Sequence, residues 1–193
     1  MTDNSKKIYP IGIQTFENII KRNAIYVDKT DLVYKMVSEG NYYFLSRPRR
    51  FGKSLLLSTL ESYFLGKKEL FKGLAIENLE KEWETYPVLR IDFSLKKNIS
   101  VKSVQNIMRD ALDSWEDIYG NGTADKDDYA IRFKQVIEKA YNKTNLGVVI
   151  LIDEYDAPLL DTMITKETFI EIRQVMRDFF SPLKSCEAKI KFV

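Results

Sequence analysis

The sequence contains no histidine and only one cysteine, and these two absences exclude several kinds of site. Without histidine, the chain cannot form His-ligated zinc sites or Ser-His and Cys-His catalytic triads. Because Cys186 has no second cysteine to pair with, an intrachain disulfide is excluded, and we expect a reducing compartment. We expect Cys186 itself to be a small buried or half-buried side chain rather than a nucleophile.

Long apolar runs and a strong net charge are also missing. No stretch approaches the roughly 20 apolar residues of a membrane-spanning helix, and the polar residues 1–7 contain no apolar core of a signal peptide. The formal net charge is +2 over 193 residues, which does not indicate a nucleic-acid-binding surface. With 45% hydrophobic and 30% charged residues, the composition is typical of one soluble globular domain, which we expect in the cytoplasm.

The most informative stretch is 47–54, which reads Arg-Pro-Arg-Arg-Phe-Gly-Lys-Ser. It follows an apolar run at 42–45, where a strand is expected over 42–46, and it precedes a helical pattern from Leu55 to Phe64. A strand, a basic loop with glycine, Lys-Ser and then a helix is the layout of a phosphate-binding P-loop. In such a loop, backbone N–H groups bind phosphate oxygens, and the positive end of the helix dipole points at them.

In this interpretation, Gly52 lets the backbone approach the phosphates, Lys53 reaches the β- and γ-phosphates, and the Ser54 hydroxyl binds Mg²⁺. The usual P-loop has another glycine five residues before Gly52, where this chain has Arg47. On the loop alone, a basic turn that caps a helix explains the residues equally well. The candidate nucleotide-binding residues of the loop are Arg49, Arg50, Phe51, Gly52, Lys53, Ser54 and Leu55.

A second stretch, the apolar run 148–152 followed by Asp153 and Glu154, favours nucleotide binding more strongly. Such a run is typical of a strand buried on both faces of a parallel sheet, and α/β sheets bind ligands beyond the C-terminal ends of their strands. Asp153 would hold the Mg²⁺ shell, and Glu154 would polarise the attacking water as general base. Alone, this stretch is more often a core strand that ends in an acidic turn. Together with the preceding P-loop, it predicts a nucleotide-binding protein.

The chain also resembles the bacterial AAA-ATPase-like family, over nearly its whole length. The stretches that carry the resemblance are IGIQTF at 11–16, YVDKT at 26–30, YFLSRPRRFGKSL at 43–55 and IDEYD at 152–156. The family's P-loop characteristically reads RPRRFGKS, so Arg47 is what the family shows at that position. The resemblance implies Walker A residues at 52–54 and the Walker B pair at 153–154. Full-length members usually continue into a domain similar to PD-(D/E)XK nucleases, and this chain stops before such a domain begins.

Hydrophobic spacing and capping residues predict the remaining elements. Helices are expected from about Thr30 to Gly40, from Ser100 to Gly120, over 127–143 and, after an N-cap at Thr165, over 166–180; strands are expected over 88–93 and 189–193. Two helical units lie between the P-loop and the Asp-Glu strand, which means that one extra strand is interposed. This order fits the additional-strand, catalytic-glutamate class of P-loop ATPases. We therefore expect residues 1–193 to form one AAA-like, three-layer α/β domain with a mostly parallel sheet. Its final strand should lie beside strand 42–46, and the domain should be truncated before its last strands and lid.

Two aromatic residues have both a functional and a structural interpretation. Many AAA-type ATPases hold adenine with the segment before the first strand, a place that residues 25–30 occupy here. Tyr26 is therefore the candidate to contact the base, whereas Asp28 is favoured as a helix cap. Trp83 could stack on a base, but a lone tryptophan in an amphipathic stretch is more often part of the core.

Two further patterns near the end of the chain are weaker. Arg173 and Arg177 lie one turn apart on a predicted helix, where AAA-type assemblies place an arginine finger, but a solvated helix face is favoured. Residues 187–189 have the E-x-K form of a nuclease half-motif. Since no upstream strand supplies an equally good partnering aspartate, nuclease activity in this segment is not favoured.

The sequence thus predicts Mg²⁺-dependent ATP binding, with slow hydrolysis that drives a conformational switch. Lys53 and Glu154 are the candidate catalytic residues, and Ser54 and Asp153 are the candidate Mg²⁺ ligands. Two alternatives stay open: a nucleotide-gated scaffold without turnover, and an ATPase that governs a nuclease domain outside this chain. Nothing resembles an N/TKxD guanine reader, which favours ATP over GTP. The oligomeric state is left open.

Overall fold

The computed structural model describes residues 7–46, 48, 50–94, 99–160 and 165–193. The chain divides into two compact units, Met1–Tyr86 and Pro87–Val193. The described part of the first unit is helical, and the second unit contains a parallel sheet with helices. The protein is therefore an α/β protein, as the sequence predicts.

The first unit contains four helices in its described residues. They are α1 (Phe16–Lys21), α2 (Thr30–Glu39), α3 (Lys53–Phe64) and α4 (Ile76–Leu79), with a 3-10 turn at Lys68–Phe71 before α4. The fully buried ring of Phe16 joins α1 to the 3-10 turn, because it packs on Phe71 at a centroid distance of 4.8 Å. The Phe16 N–H also donates to the Ser58 hydroxyl oxygen at 2.9 Å, which fixes α1 against α3. The helix that follows the predicted P-loop is thereby anchored at its middle.

The start of α2 is held by two polar side chains. The Asp28 carboxylate accepts hydrogen bonds from the Thr30 N–H at 2.9 Å and from the Ala75 N–H at 2.7 Å. Thr30 Oγ1 in turn accepts from the Ile76 N–H at 3.1 Å. Burial by itself would raise the pKa of Asp28, but the hydrogen bonds from Thr30 and Ala75 outweigh it and the pKa is lowered. These contacts tie the beginning of α2 to α4 and support the capping interpretation of Asp28.

The second unit is built on three parallel strands in the order β1-β2-β3. They are β1 (Val88–Asp92), β2 (Val148–Asp153) and β3 (Ile190–Phe192). The register pairs Leu89 with Ile150 and Asp92 with Asp153, so both acidic residues lie at the same end of neighbouring strands. The predicted strands 88–93, 148–152 and 189–193 are therefore confirmed, each within a residue or two of its expected bounds.

Helices connect these strands and cover one face of the sheet. They are α5 (Val101–Tyr119), α6 (Tyr129–Thr144), α7 (Lys166–Phe180) and the short α8 (Pro182–Ser185). Met108 of α5, Phe133 of α6 and Phe179 of α7 form one buried cluster with Leu89 and Ile150. Phe133 and Phe179 stack at 4.9 Å with an interplanar angle of 11°. The apolar stripes predicted for the three long helices thus meet on the sheet.

The expected helix caps of the second unit are also present. Ser100 and Ser103 form a reciprocal capping box at the start of α5. The Thr165 side chain accepts from the Thr168 N–H at 3.2 Å at the start of α7. These local signals explain why the helix bounds were predictable from the sequence.

Residues 42–46 do not form the strand that the sequence predicted. Their side chains are exposed, with 69% of Phe44 accessible to solvent. A strand requires a ladder of hydrogen bonds to a neighbour, and the sheet of the described residues contains β1, β2 and β3 alone. The apolar pattern was therefore not sufficient, and the strand prediction is wrong for this structure.

Candidate functional site

A left-handed turn opens α3 in the first unit. Arg50 has a φ of 67° and Gly52 a φ of 76°, and Gly52 is the N-cap of the helix. A Cβ built on Gly52 would meet nothing within 4 Å, so the backbone conformation rather than lack of space favours glycine here. The Leu56 N–H donates to the Gly52 carbonyl at 2.9 Å as the first helical bond. The N–H groups of the first helical turn therefore have no acceptor within the helix and lie at the positive end of its dipole.

The predicted loop residues divide into described and undescribed positions. Lys53, Ser54 and Leu55 are half-buried in the first turn of α3, and Phe51 is exposed. The Leu55 carbonyl accepts from the hydroxyls of Ser58 and Thr59, each at 2.9 Å, which engages this residue inside the helix. Arg47 and Arg49 lie outside the described residues. The structure thus brings Arg50 to Leu55 together at one helix start.

Tyr26 is half-buried against α1 and α3. Its ring packs edge-to-face on Phe16 at 5.1 Å, and its hydroxyl shares a hydrogen bond with the Thr59 side chain. Burial raises the pKa of Tyr26, and the nearby Asp28 charge adds to that rise while the Thr59 hydrogen bond opposes it. The residue therefore links segment 25–30 to the helix that carries Lys53. Contact with a base stays a prediction.

The acidic pair of the second unit lies at the end of β2. Asp153 is buried, and its Oδ1 accepts from the Glu154 N–H at 3.1 Å. Its Oδ2 lies 3.7 Å from Nη2 of Arg90 on the neighbouring strand β1. Asp92, which is paired with Asp153 in the sheet register, is exposed and accepts from the Ser94 N–H at 2.8 Å. A buried carboxylate at this end of a parallel strand is suited to bind a hard cation.

Glu154 begins the turn after β2 in a left-handed conformation, with a φ of 49°. Its carbonyl accepts from the Ala157 N–H at 3.0 Å, which closes the turn. A glutamate in this region carries backbone strain, and such strain concentrates at functional positions. The side chain is half-buried rather than fully solvated.

Trp83 and the two arginines of α7 each had a functional and a structural interpretation in the sequence. Trp83 packs on the rings of Phe71 at 5.1 Å and Tyr63 at 5.8 Å, which confirms the packing interpretation. Its Nε1 is buried without a hydrogen-bond partner among the described residues. Arg173 and Arg177 are exposed on α7, opposite its buried stripe, as a solvated helix face requires. The structure does not test the arginine-finger interpretation.

Comparison with known proteins settles the family. The family model described as "Predicted AAA-ATPase" matches residues 10–193. The chain belongs to this AAA-ATPase-like family. The resemblance read from the sequence motifs is thereby confirmed.

A curated relative of this AAA-ATPase-like chain comes from Azotobacter chroococcum mcd 1 and is described as an uncharacterized protein in vnfD 5'region. It is 38% identical over 189 residues, which cover 97% of this chain and 36% of the relative. The chain thus spans about a third of the length of the curated relative that it matches. No solved structure matches the chain. Within the described ranges, no helix is long and apolar enough to cross a membrane.

Two charged residues beside the acidic pair of this AAA-ATPase-like chain were not predicted from the sequence. Arg90 and Asp92 both lie on β1, and Arg90 is the residue that contacts the buried Asp153. The alternation Val-Leu-Arg-Ile-Asp at 88–92 places the two charges on one face of the strand. That pattern was visible, but only the register with β2 shows which residue they accompany.

Proposed function

We propose that this chain binds ATP together with Mg²⁺, hydrolyses it slowly and uses hydrolysis to drive a conformational switch. The observation that carries the proposal is the left-handed turn at Gly52, which opens α3 with Lys53 and Ser54 in its first turn. This geometry occurs in a member of a family described as predicted AAA-ATPases. Both facts support a phosphate-binding loop at this place.

In the first unit, the backbone N–H groups at the start of α3 would bind phosphate oxygens. Gly52 offers these groups no side-chain acceptor, which leaves room for a phosphate at the start of the helix. Lys53 would place its charge on the β- and γ-phosphates, and the Ser54 hydroxyl would bind the metal.

Arg50 and Phe51 would border the phosphates, and Arg49 is assigned to the same loop from its sequence position. Tyr26 would contact the base.

In the second unit, Asp153 and Glu154 would supply the acidic groups. Mg²⁺ in nucleotide sites is held by one or two carboxylates and by substrate phosphates, and it keeps several waters. The described residues contain no cluster of three or more His, Cys, Asp and Glu side chains that could hold a metal alone. Asp153 would be one such carboxylate, and the phosphates and waters would complete the metal's shell.

When bound, Mg²⁺ would neutralise charge on the phosphates. Asp153 would hold the metal's water shell, and Glu154 would accept a proton from the attacking water as general base. The carboxylate of Asp153 is already oriented by the Glu154 N–H. Glu154 follows it directly, so the turn after β2 sets the direction of the general base.

The remaining parts of the proposal concern the whole protein. The position of β2 between β1 and β3 supports an AAA-like fold of the additional-strand class, in which residues 1–193 form the ATPase domain. As an alternative, which rests on the family resemblance, the ATPase would regulate a nuclease-like domain outside this chain. Cytoplasmic location belongs to the same proposal, and the oligomeric state stays open.

Replacing Lys53 with alanine tests the phosphate site. We expect Lys53→Ala in the complete gene product to weaken ATP binding by about 1.5–3 kcal/mol, the value of a hydrogen bond to a charged group. This corresponds to roughly a ten- to hundredfold loss of affinity in isothermal titration calorimetry with Mg²⁺. Lys68→Ala is the matched control, because Lys68 is an exposed lysine in the 3-10 turn after α3. Wild-type affinity in Lys53→Ala would end the P-loop interpretation.

A further inference from the structure

The sheet of the second unit has a charged face at the end of β1 and β2. Leu89 and Ile91 point into the apolar cluster beneath α5, α6 and α7. Because side chains alternate along a strand, Arg90 and Asp92 lie on the opposite face. The parallel register pairs Asp92 with Asp153, so these charged residues share that face.

Arg90 is positioned as a counter-ion of Asp153. Its Nη2 lies 3.7 Å from Asp153 Oδ2, and the side chains are 26% and 5% exposed, respectively. The distance is longer than that of a hydrogen bond, so the contact lacks the bidentate geometry of a strong Arg–carboxylate pair. Burying a carboxylate without a cation is costly, and a nearby guanidinium offsets part of that cost. The Arg90 charge therefore compensates Asp153 without a hydrogen bond at this contact.

A metal bound to Asp153 would compete with this contact. A divalent cation on the carboxylate takes over the charge compensation that Arg90 provides, and it repels the guanidinium. Each cation thus weakens the other's hold on the same side chain. The coupling is largest where the carboxylate is shielded from water, as Asp153 is.

We propose that Arg90 is a positioning residue, which holds Asp153 in the metal-free protein and must release it when Mg²⁺–ATP binds. Arg90 thereby sets the Mg²⁺ concentration at which the site loads. This inference rests on the proposed function, because it requires Asp153 to bind the metal. Arg90 would thus affect how readily the site binds Mg²⁺, an effect that we assign neither to the P-loop nor to the acidic pair.

The test compares Arg90→Gln with Arg90→Lys and the wild type in the complete gene product. Thermal stability is followed while Mg²⁺ is titrated at fixed ATP, and ATP binding without metal is measured in EDTA. We expect Arg90→Gln to lower the Mg²⁺ midpoint by about 3- to 10-fold, in the lower part of the range of coupling between contacting charged groups. Arg90→Lys keeps the charge and should stay near the wild-type midpoint. Lys102→Gln, which removes a charge from an exposed position on α5, is the control and should leave the midpoint unchanged.

The metal-free variants supply a second readout. Without Mg²⁺, Arg90→Gln should melt below the wild type, and saturating Mg²⁺–ATP should narrow that gap. A residue with only a structural role would lower the melting temperature equally with and without metal and would not move the Mg²⁺ midpoint. An unchanged or raised midpoint in Arg90→Gln, beside a wild type that binds normally, would overturn the inference.

Two further outcomes are distinguishable. If Arg90→Gln does not fold, Arg90→Met, which retains the aliphatic stem, replaces it. Failure of both variants to fold even with Mg²⁺–ATP would assign Arg90 to the scaffold and reject the loading role. If the wild type itself binds no Mg²⁺–ATP, the proposed function fails, and the inference fails with it.

Discussion

Arg132 is buried between α5 and α6, and removing its charge should strongly destabilise the second unit. Its side chain is 4% exposed, and its Nε and Nη2 donate to the two carboxylate oxygens of Glu116 at 2.9 and 2.7 Å. Nη2 also donates to Asp113 at 2.6 Å, and Nη1 donates to the Lys126 carbonyl at 3.1 Å. The hydrogen bonds to Glu116 raise the pKa of Arg132 above its ordinary value. The guanidinium thus joins two helices and the loop between them.

The loss of stability in Arg132→Met follows from the carboxylates that lose their partner. The Glu116 side chain is 12% exposed and would remain as a buried charge without its partner, whereas Asp113 is 59% exposed and would be solvated. Breaking a buried pair in this way costs about 3–5 kcal/mol, which lowers the melting temperature of a chain of this size by roughly 6–20 °C. Asp113→Asn should cost at most about 1 kcal/mol, because that pair is exposed on one side.

A second substitution separates the lost contact from the stranded charge. In Arg132→Met/Glu116→Leu, the buried carboxylate is gone as well, and apolar replacements of buried pairs are often neutral or stabilising. We therefore expect the double variant to recover most of the loss. Denaturant unfolding, followed by tryptophan fluorescence, to which the buried Trp115 on α5 contributes, measures all four proteins. Stability within about 1 kcal/mol of wild type in Arg132→Met, or no recovery in the double variant, would refute the reasoning.

Two other predictions concern single carboxylates. Hydrogen bonds from Lys21 and Lys67 lower the pKa of Glu17 from 4.5 to about 2, so its stabilising effect is complete above pH 4.5 and is lost as the pH falls toward 2. Lys67→Met, with exposed Lys68→Met as control, should flatten acid unfolding curves in that window, and an unchanged curve would contradict the assignment. Glu154→Gln should slow single-turnover phosphate release by about 10²- to 10⁴-fold while ATP affinity holds. Glu167→Gln, on the exposed face of α7, is the matched control, and equal rates in Glu154→Gln and wild type would remove Glu154 from catalysis.

Elements whose signals lie within a few residues could be predicted from the sequence. The capping box at Ser100 and the Thr165 cap define the starts of α5 and α7, and both need only the next turn of helix. The apolar run at 148–152 is long enough to form a strand buried on both faces. The residue pairs between β1 and the end of this strand could not be predicted in this way, because they depend on the register of the two strands.

Features set by distant partners were not predictable. Residues 42–46 have the composition of a strand, but a strand exists only where another strand pairs with it. On α3, the buried set includes Ser58, Thr59 and Ser62 beside Leu60 and Phe64. Ser58 is buried because its hydroxyl accepts from the N–H of Phe16, a contact that links two helices. No pattern within α3 itself reports that partner.

The acidic pair likewise needed the fold to be interpreted. Asp153 and Glu154 are visible in the sequence, but the cation beside Asp153 comes from β1. Ion pairs of this kind are fixed by which strands are neighbours and by their register. The sequence therefore predicted the carboxylates and missed Arg90, which we infer positions Asp153.

Backbone strain supplies an argument for hydrolysis over a scaffold that only binds nucleotide. Asn23 and Asn145 adopt positive φ after helices, and asparagine tolerates that region well. Arg50, Trp83 and Glu154 adopt it without such tolerance, which costs of the order of 1–3 kcal/mol at each position. Trp83 lies in a packed aromatic cluster, whereas Arg50 and Glu154 lie in the two stretches that we assign to nucleotide binding. If the turn after β2 had only a structural role, asparagine or glycine would adopt its positive φ at a lower energetic cost. The strained glutamate therefore favours a chemical role for its carboxylate.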